Sequence, residues 1–140
     1  MKTFKGGCLC GQISYSIEGE LDSIILCHCN QCRKTSGHFV AATRTATEKI
    51  KITGAVTWFN SSSDARRGFC GNCGSQLFWQ PGDRSSTSLF AGSLDGQTGL
   101  QIATQIHVEA KGDYYDLPSA PISDQRPIQG KPPAEEEADV

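Results

Sequence analysis

No apolar run in this chain approaches the roughly 20 residues needed to cross a bilayer; segments such as Ile24-Ile25-Leu26 fall far short, so no membrane span is expected. Basic clusters are missing as well. Arg33-Lys34 and Arg66-Arg67 are only pairs, and the formal net charge is −2, which excludes electrostatic capture of nucleic acid as the expected role. The start, Met1 to Gly7, has no apolar stretch of the kind that directs secretion. A cytoplasmic location is therefore expected, and structural disulfides are not. Apolar residues at helical spacing do not persist over any long window, which predicts little helix. Only 37% of the 140 residues are hydrophobic, a lean core for one domain and one that metal could reinforce.

What the chain does contain is period-two alternation. Ile13, Tyr15 and Ile17 alternate with polar neighbours, as do Ile50 and Ile52, then Val56 and Trp58; this spacing predicts half-buried strands. Short apolar segments at 38–42, 76–79, 88–91 and 105–108, separated by Gly, Ser, Asn or Asp, extend the pattern to an antiparallel meander. Gln31 to Ser36 is expected to form a short turn or helix. Asn60-Ser61-Ser62 matches a glycosylation sequon and is read as a loop. Five of the six prolines lie beyond Leu117 and the run Glu135-Glu136-Glu137 follows. Residues 1–118 are thus expected to form the domain and 119–140 a flexible, solubilising tail.

Cysteine carries the chemistry. Seven are present, an odd number that suits metal better than a disulfide set. Cys8-Leu9-Cys10 and Cys70-Gly71-Asn72-Cys73-Gly74 form two pairs some sixty residues apart. In the second pair, Gly71 and Gly74 allow positive φ, so backbone N–H groups can face the thiolates. If Cys8 and Cys10 lie on extended chain, both sulfurs face one side, and four thiolates can close around a tetrahedral zinc. The other three sit in Cys27-His28-Cys29-Asn30-Gln31-Cys32. Three ligands from one turn leave one position open, as catalytic zinc sites do, and a centre with three soft thiolates prefers another thiol.

Alternatives stand beside this division. A zinc ribbon joining Cys29 and Cys32 with Cys70 and Cys73 orphans three cysteines. His28 is a possible fourth ligand, although extended chain turns it away from its neighbours. Arg33 and Lys34 are placed to moderate the centre's charge or to be plain solvated bases. His38 and His107, in strand-like segments, are expected to be structural, with either available as a proton source.

Taken in order, Gly6-Gly7-Cys8-Leu9-Cys10-Gly11, Cys27-His28-Cys29-Asn30-Gln31-Cys32-Arg33-Lys34 and Phe69-Cys70-Gly71-Asn72-Cys73-Gly74-Ser75 closely resemble the motifs of the glutathione-dependent formaldehyde-activating enzyme family. This family is also called the CENP-V/GFA domain family. Gly92-Ser93-Leu94-Asp95, Ile106-His107-Val108 and Asp116-Leu117-Pro118 continue the likeness. The resemblance implies a mainly β, Mss4-like fold of antiparallel sheets stabilised by two Zn2+ ions per chain. Cys8, Cys10, Cys70 and Cys73 would hold the structural zinc, and Cys27, Cys29 and Cys32 the catalytic one. It also implies a carbon–sulfur lyase that makes or cleaves S-hydroxymethylglutathione, with a small thiol and a small aldehyde as partners. The alternative from another class is a zinc-stabilised protein-binding module on the same fold.

Overall fold

The computed structural model describes residues 2–123. The chain is mainly β. In order come β1 (Thr3–Gly7), β2 (Ser14–Glu18), β3 (Ile24–Cys27), α1 (Asn30–Ser36), β4 (Val40–Ala46), β5 (Ile50–Thr53), β6 (Val56–Ser62), β7 (Ala65–Cys70), β8 (Gln76–Pro81), β9 (Ser86–Phe90) and β10 (Ile102–Ile106). One antiparallel sheet has the order β1-β2-β5, and a seven-stranded sheet the order β10-β3-β4-β9-β8-β7-β6.

The expected meander is present over β6 to β9. Beyond it, β9 pairs with β4, and β3 lies on the far side of β4. The antiparallel pattern breaks at the last strand, because β10 runs parallel to β3 with Ile106 opposite Cys27. Most expected strands are found with shifted ends. The segment at 38–42 becomes β4, and that at 105–108 becomes the earlier Ile102–Ile106. The sequon is no loop: Asn60–Ser62 closes β6, and Ser61 and Ser62 are buried.

The two sheets enclose the core. The alternation in β2 buries Tyr15 and Ile17 while Ser14 and Glu18 stay exposed, and these side chains meet Leu77, Phe78 and Leu89 from the larger sheet. The Tyr15 ring stands edge-on to Phe78, with centroids 5.4 Å apart. Each such fully buried aliphatic or aromatic side chain stabilises the fold by about 1.5–3 kcal/mol. Ile52 does not follow the expectation of a half-buried strand, because β5 is an edge strand and this residue is exposed.

Residues 118–123 run beside β10. Gln105 N–H donates to the Pro121 carbonyl, and Ser123 N–H donates to the Gln105 carbonyl. The expected tail over 119–140 falls outside the described residues from 124 onward. Among the described residues no helix is long and apolar enough to cross a membrane.

Candidate metal centres and the adjoining cavity

The sulfurs of Cys8, Cys10, Cys70 and Cys73 all lie within 4.8 Å of one another. Cys8 and Cys10 do not sit on extended chain. They flank a tight turn after β1 whose tip, Leu9, is exposed, and Gly11 at φ +84° completes it. The partner pair sits in the turn from β7 to β8, where Gly74 at φ +81° donates its N–H to the Cys70 carbonyl at 2.8 Å. Gly71 has no positive φ; it is needed because a Cβ there would lie 2.7 Å from Thr57 Oγ1.

The donor set fits zinc. A zinc–sulfur bond of about 2.3 Å sets tetrahedral S···S edges of about 3.8 Å, and the observed Cys8–Cys10 and Cys10–Cys70 separations are 3.6 and 3.7 Å. Backbone N–H groups face the sulfurs: Ile13 donates to Cys8 Sγ at 3.2 Å, and Asn72 and Cys73 donate to Cys70 Sγ at 3.4 Å. Contacts from Ser75 hold the Cys73 thiol down to about 5. Such contacts let the Cys73 sulfur persist as a thiolate at neutral pH, whereas Cys70, despite the N–H bond from Cys73, is left above its ordinary value by burial and by sharing with the neighbouring thiols.

Cys27, Cys29 and Cys32 form a second, separate group, also within 4.8 Å of one another and all buried. The zinc-ribbon pairing of Cys29 and Cys32 with Cys70 and Cys73 is therefore not formed. Cys27 ends β3, Cys29 is the N-cap of α1, and Cys32 lies in its first turn. The Cys29 sulfur accepts the Cys32 N–H at 3.3 Å. Hydrogen bonds from the Cys27 and Cys32 thiols hold Cys29 down to about 2, and the same sharing pushes Cys27 far up. Among the described residues no fourth His, Cys, Asp or Glu ligand atom joins this group.

His28, between two of these cysteines, is not a fourth ligand. The Gln105 amide N–H2 donates to the Pro118 and Ala120 carbonyls at 2.8 and 3.0 Å. Its oxygen therefore faces His28 Nε2 at 2.9 Å, which must carry the proton, and Nδ1 accepts from the Tyr115 hydroxyl at 2.8 Å. Both ring nitrogens are occupied in a fully buried side chain.

The expected neighbouring bases also point elsewhere. Arg33 donates to Asn30 Oδ1, and Lys34 is exposed. The cation at the cluster is Arg67 on β7, only 3% exposed. Its Nη2 lies 3.9 Å from Cys32 Sγ, and its Nε donates to Gln31 Oε1 at 3.1 Å. Gln31 is fixed in turn by donating to the Ser61 carbonyl. In the sequence Arg67 is only half of a basic pair, and no alternation marks it as inward-facing, because buried Gly68 and Cys70 occupy the opposite register and Phe69 is only half-buried.

A cavity of about 430 Å³ borders the three-cysteine cluster at Cys27 and Cys32. Cys27, Cys32 and Arg67 line its buried end, with Val40, Phe90 and Ile106 beside them. Arg44 and Asp22, an exposed ion pair at 3.3 Å, also border it. Of the two histidines expected in strands, His107 lies just beyond β10 in a left-handed conformation (φ +56°), is buried and lines this cavity. His38 is exposed in the loop after α1 and rests its ring on Phe39, 4.3 Å between centroids.

Two sheets, two cysteine clusters of metal-binding geometry and a cavity at the one with three sulfurs define a cysteine-built β protein. The chain belongs to the glutathione-dependent formaldehyde-activating enzyme family, whose sequence profile matches residues 3–110. An uncharacterized lyase of Schizosaccharomyces pombe is 30% identical over 119 residues, which are 84% of this chain and 87% of that protein. A crystal structure of a Rhodobacter sphaeroides protein is alike in fold, with a TM-score of 0.55 at 22% identity, over 71% of this chain and 99% of that one.

Proposed function

We propose that the protein is a zinc-dependent carbon–sulfur lyase that forms or cleaves the adduct of a small thiol, such as glutathione, with formaldehyde or a related small aldehyde. The observation that carries this reading is the buried three-cysteine cluster that borders a cavity and has no fourth protein ligand among the described residues. Family membership and the lyase among its relatives support the reaction class.

In this reading Cys8, Cys10, Cys70 and Cys73 hold a structural zinc, and Cys27, Cys29 and Cys32 hold the catalytic one. When bound, that zinc supplies the positive charge that keeps an incoming thiol ionised at neutral pH. The chain's own residues do the rest. Val40, Phe90 and Ile106 give the cavity an apolar wall beside Cys27 and Cys32, against which a small aldehyde is held. The thiolate sulfur forms a bond to the carbonyl carbon, the carbonyl electron pair moves onto oxygen, and that oxygen takes up one proton. Cleavage is the reverse. His107 lines the cavity and His38 does not, so His107 is the histidine placed to exchange this proton.

The test is a panel of thiols and aldehydes assayed with zinc-loaded protein, beside metal analysis. Two zinc ions per chain and turnover of at least one adduct are expected. A single zinc, or cobalt-substituted protein whose thiolate charge-transfer bands ignore every added thiol, would move the reading to a non-catalytic, protein-binding module.

A further inference from the structure

Two adjacent arginines on β7 have opposite fates. Successive side chains on a strand point to opposite faces, and Arg66 lies over the Trp58 ring, 3.8 Å from its centroid. Arg67 turns inward to Cys32 Sγ and the buried end of the cavity. A guanidinium stays charged under all ordinary conditions, and a charge buried this deeply requires compensation. Three thiolates around a divalent ion carry a formal charge of about −1, and a fourth thiolate brings it to about −2. The charge that builds up when a thiol joins the centre therefore appears beside a fixed cation.

We propose that Arg67 is the positioning residue that makes the three-cysteine centre accept a thiolate, by offsetting the extra negative charge on the sulfurs. The inference rests on the open-centre reading above and adds to it a specific selectivity: anionic sulfur over neutral ligands such as water. Gln31 serves this role indirectly, since its side chain bridges Arg67 Nε and the Ser61 carbonyl and so fixes the guanidinium. Arg44, the other arginine bordering the cavity, is exposed and already paired with Asp22, and has no such role.

The experiment uses the full chain with cobalt in place of zinc. Charge-transfer bands are followed during titration with 2-mercaptoethanol, a neutral-bodied thiol, and with thioglycolate, which adds a carboxylate. Arg67→Met and Arg67→Gln should retain two metals per chain yet bind both thiols about 10-fold to 100-fold more weakly, the range for a lost hydrogen bond to a charged group. Arg67→Lys should recover a clear part of that loss, and Arg44→Met should bind like the parent. Neutral variants within twofold of the parent would overturn the proposal. So would a loss confined to thioglycolate, which would make Arg67 a carboxylate contact, or a lysine variant no better than the neutral ones. A parent protein that responds to neither thiol would instead overturn the open centre itself, and this inference with it.

Discussion

Replacing one cysteine in each cluster should separate architecture from chemistry by a measurable margin. Cys10 and Cys70 are 60 residues apart, whereas Cys27, Cys29 and Cys32 fall within six consecutive residues. Treating each metal as a cross-link, the entropy removed from the unfolded chain is worth about 4 kcal/mol for a 60-residue loop and about 2 kcal/mol for a six-residue one. Cys70→Ala should therefore cost about 2 kcal/mol more than Cys29→Ala, a gap of roughly 6–10 °C in Tm for a domain of this size. The assay is thermal unfolding followed by circular dichroism, with zinc content measured on the same samples. Cys29→Ala should keep one zinc and lose turnover; Cys70→Ala should unfold or aggregate first. Equal Tm losses, or full turnover in Cys29→Ala, would refute the division into a long-range tie and a local working centre.

Three further outcomes are expected. Burial pushes the Tyr15 hydroxyl up to about 12, against the opposing Ser93 contact, while the unfolded group titrates near 10. Its neutral form is favoured by folding, so stability should fall as pH rises from about 10 to 12; urea midpoints over that range should fall less in Tyr15→Phe, and identical slopes would refute the assignment. His28→Leu leaves Gln105 Oε1 and the Tyr115 hydroxyl without their buried partner and should cost about 1–3 kcal/mol in denaturant unfolding. Tyr115→Phe should cost less, because that residue is only half-buried. Gly68→Ala would place a Cβ 2.7 Å from the Trp58 ring and 2.9 Å from Val56 Cγ1; a loss of about 1–3 kcal/mol is expected, read with a shift in tryptophan fluorescence.

Some of this architecture is written in local pattern. Period-two alternation located β2 because one of its faces is buried and the other is not, and the short turn or helix expected over Gln31 to Ser36 is α1. Other elements obey non-local forces. In β7 the alternation is hidden by Arg66, Arg67 and Gly68: one cation covers an indole, the next is buried at sulfur, and the glycine yields space to Trp58. The parallel placement of β10 depends on a partner strand some eighty residues earlier, and no residue of β10 encodes that choice. The division of seven cysteines was legible from spacing, but Arg67 and Gln105 were not. Their importance arises only when distant strands bring them to Cys32 and His28.

Residues 118–123 cover part of the β10 edge of the seven-stranded sheet. Sheet edges carry unpaired N–H and C=O groups that recruit foreign strands and seed aggregation. On the β10 side, the main chain of Gln105 is satisfied by Pro121 and Ser123, while its side chain is held by the Pro118 and Ala120 carbonyls. One glutamine thus fastens the selvedge of the sheet on one side and the imidazole between two cysteines on the other. A recombinant version ending at Leu117 would free both at once, and a sticky, polydisperse preparation would be traced to the same few missing residues as a slack cysteine centre.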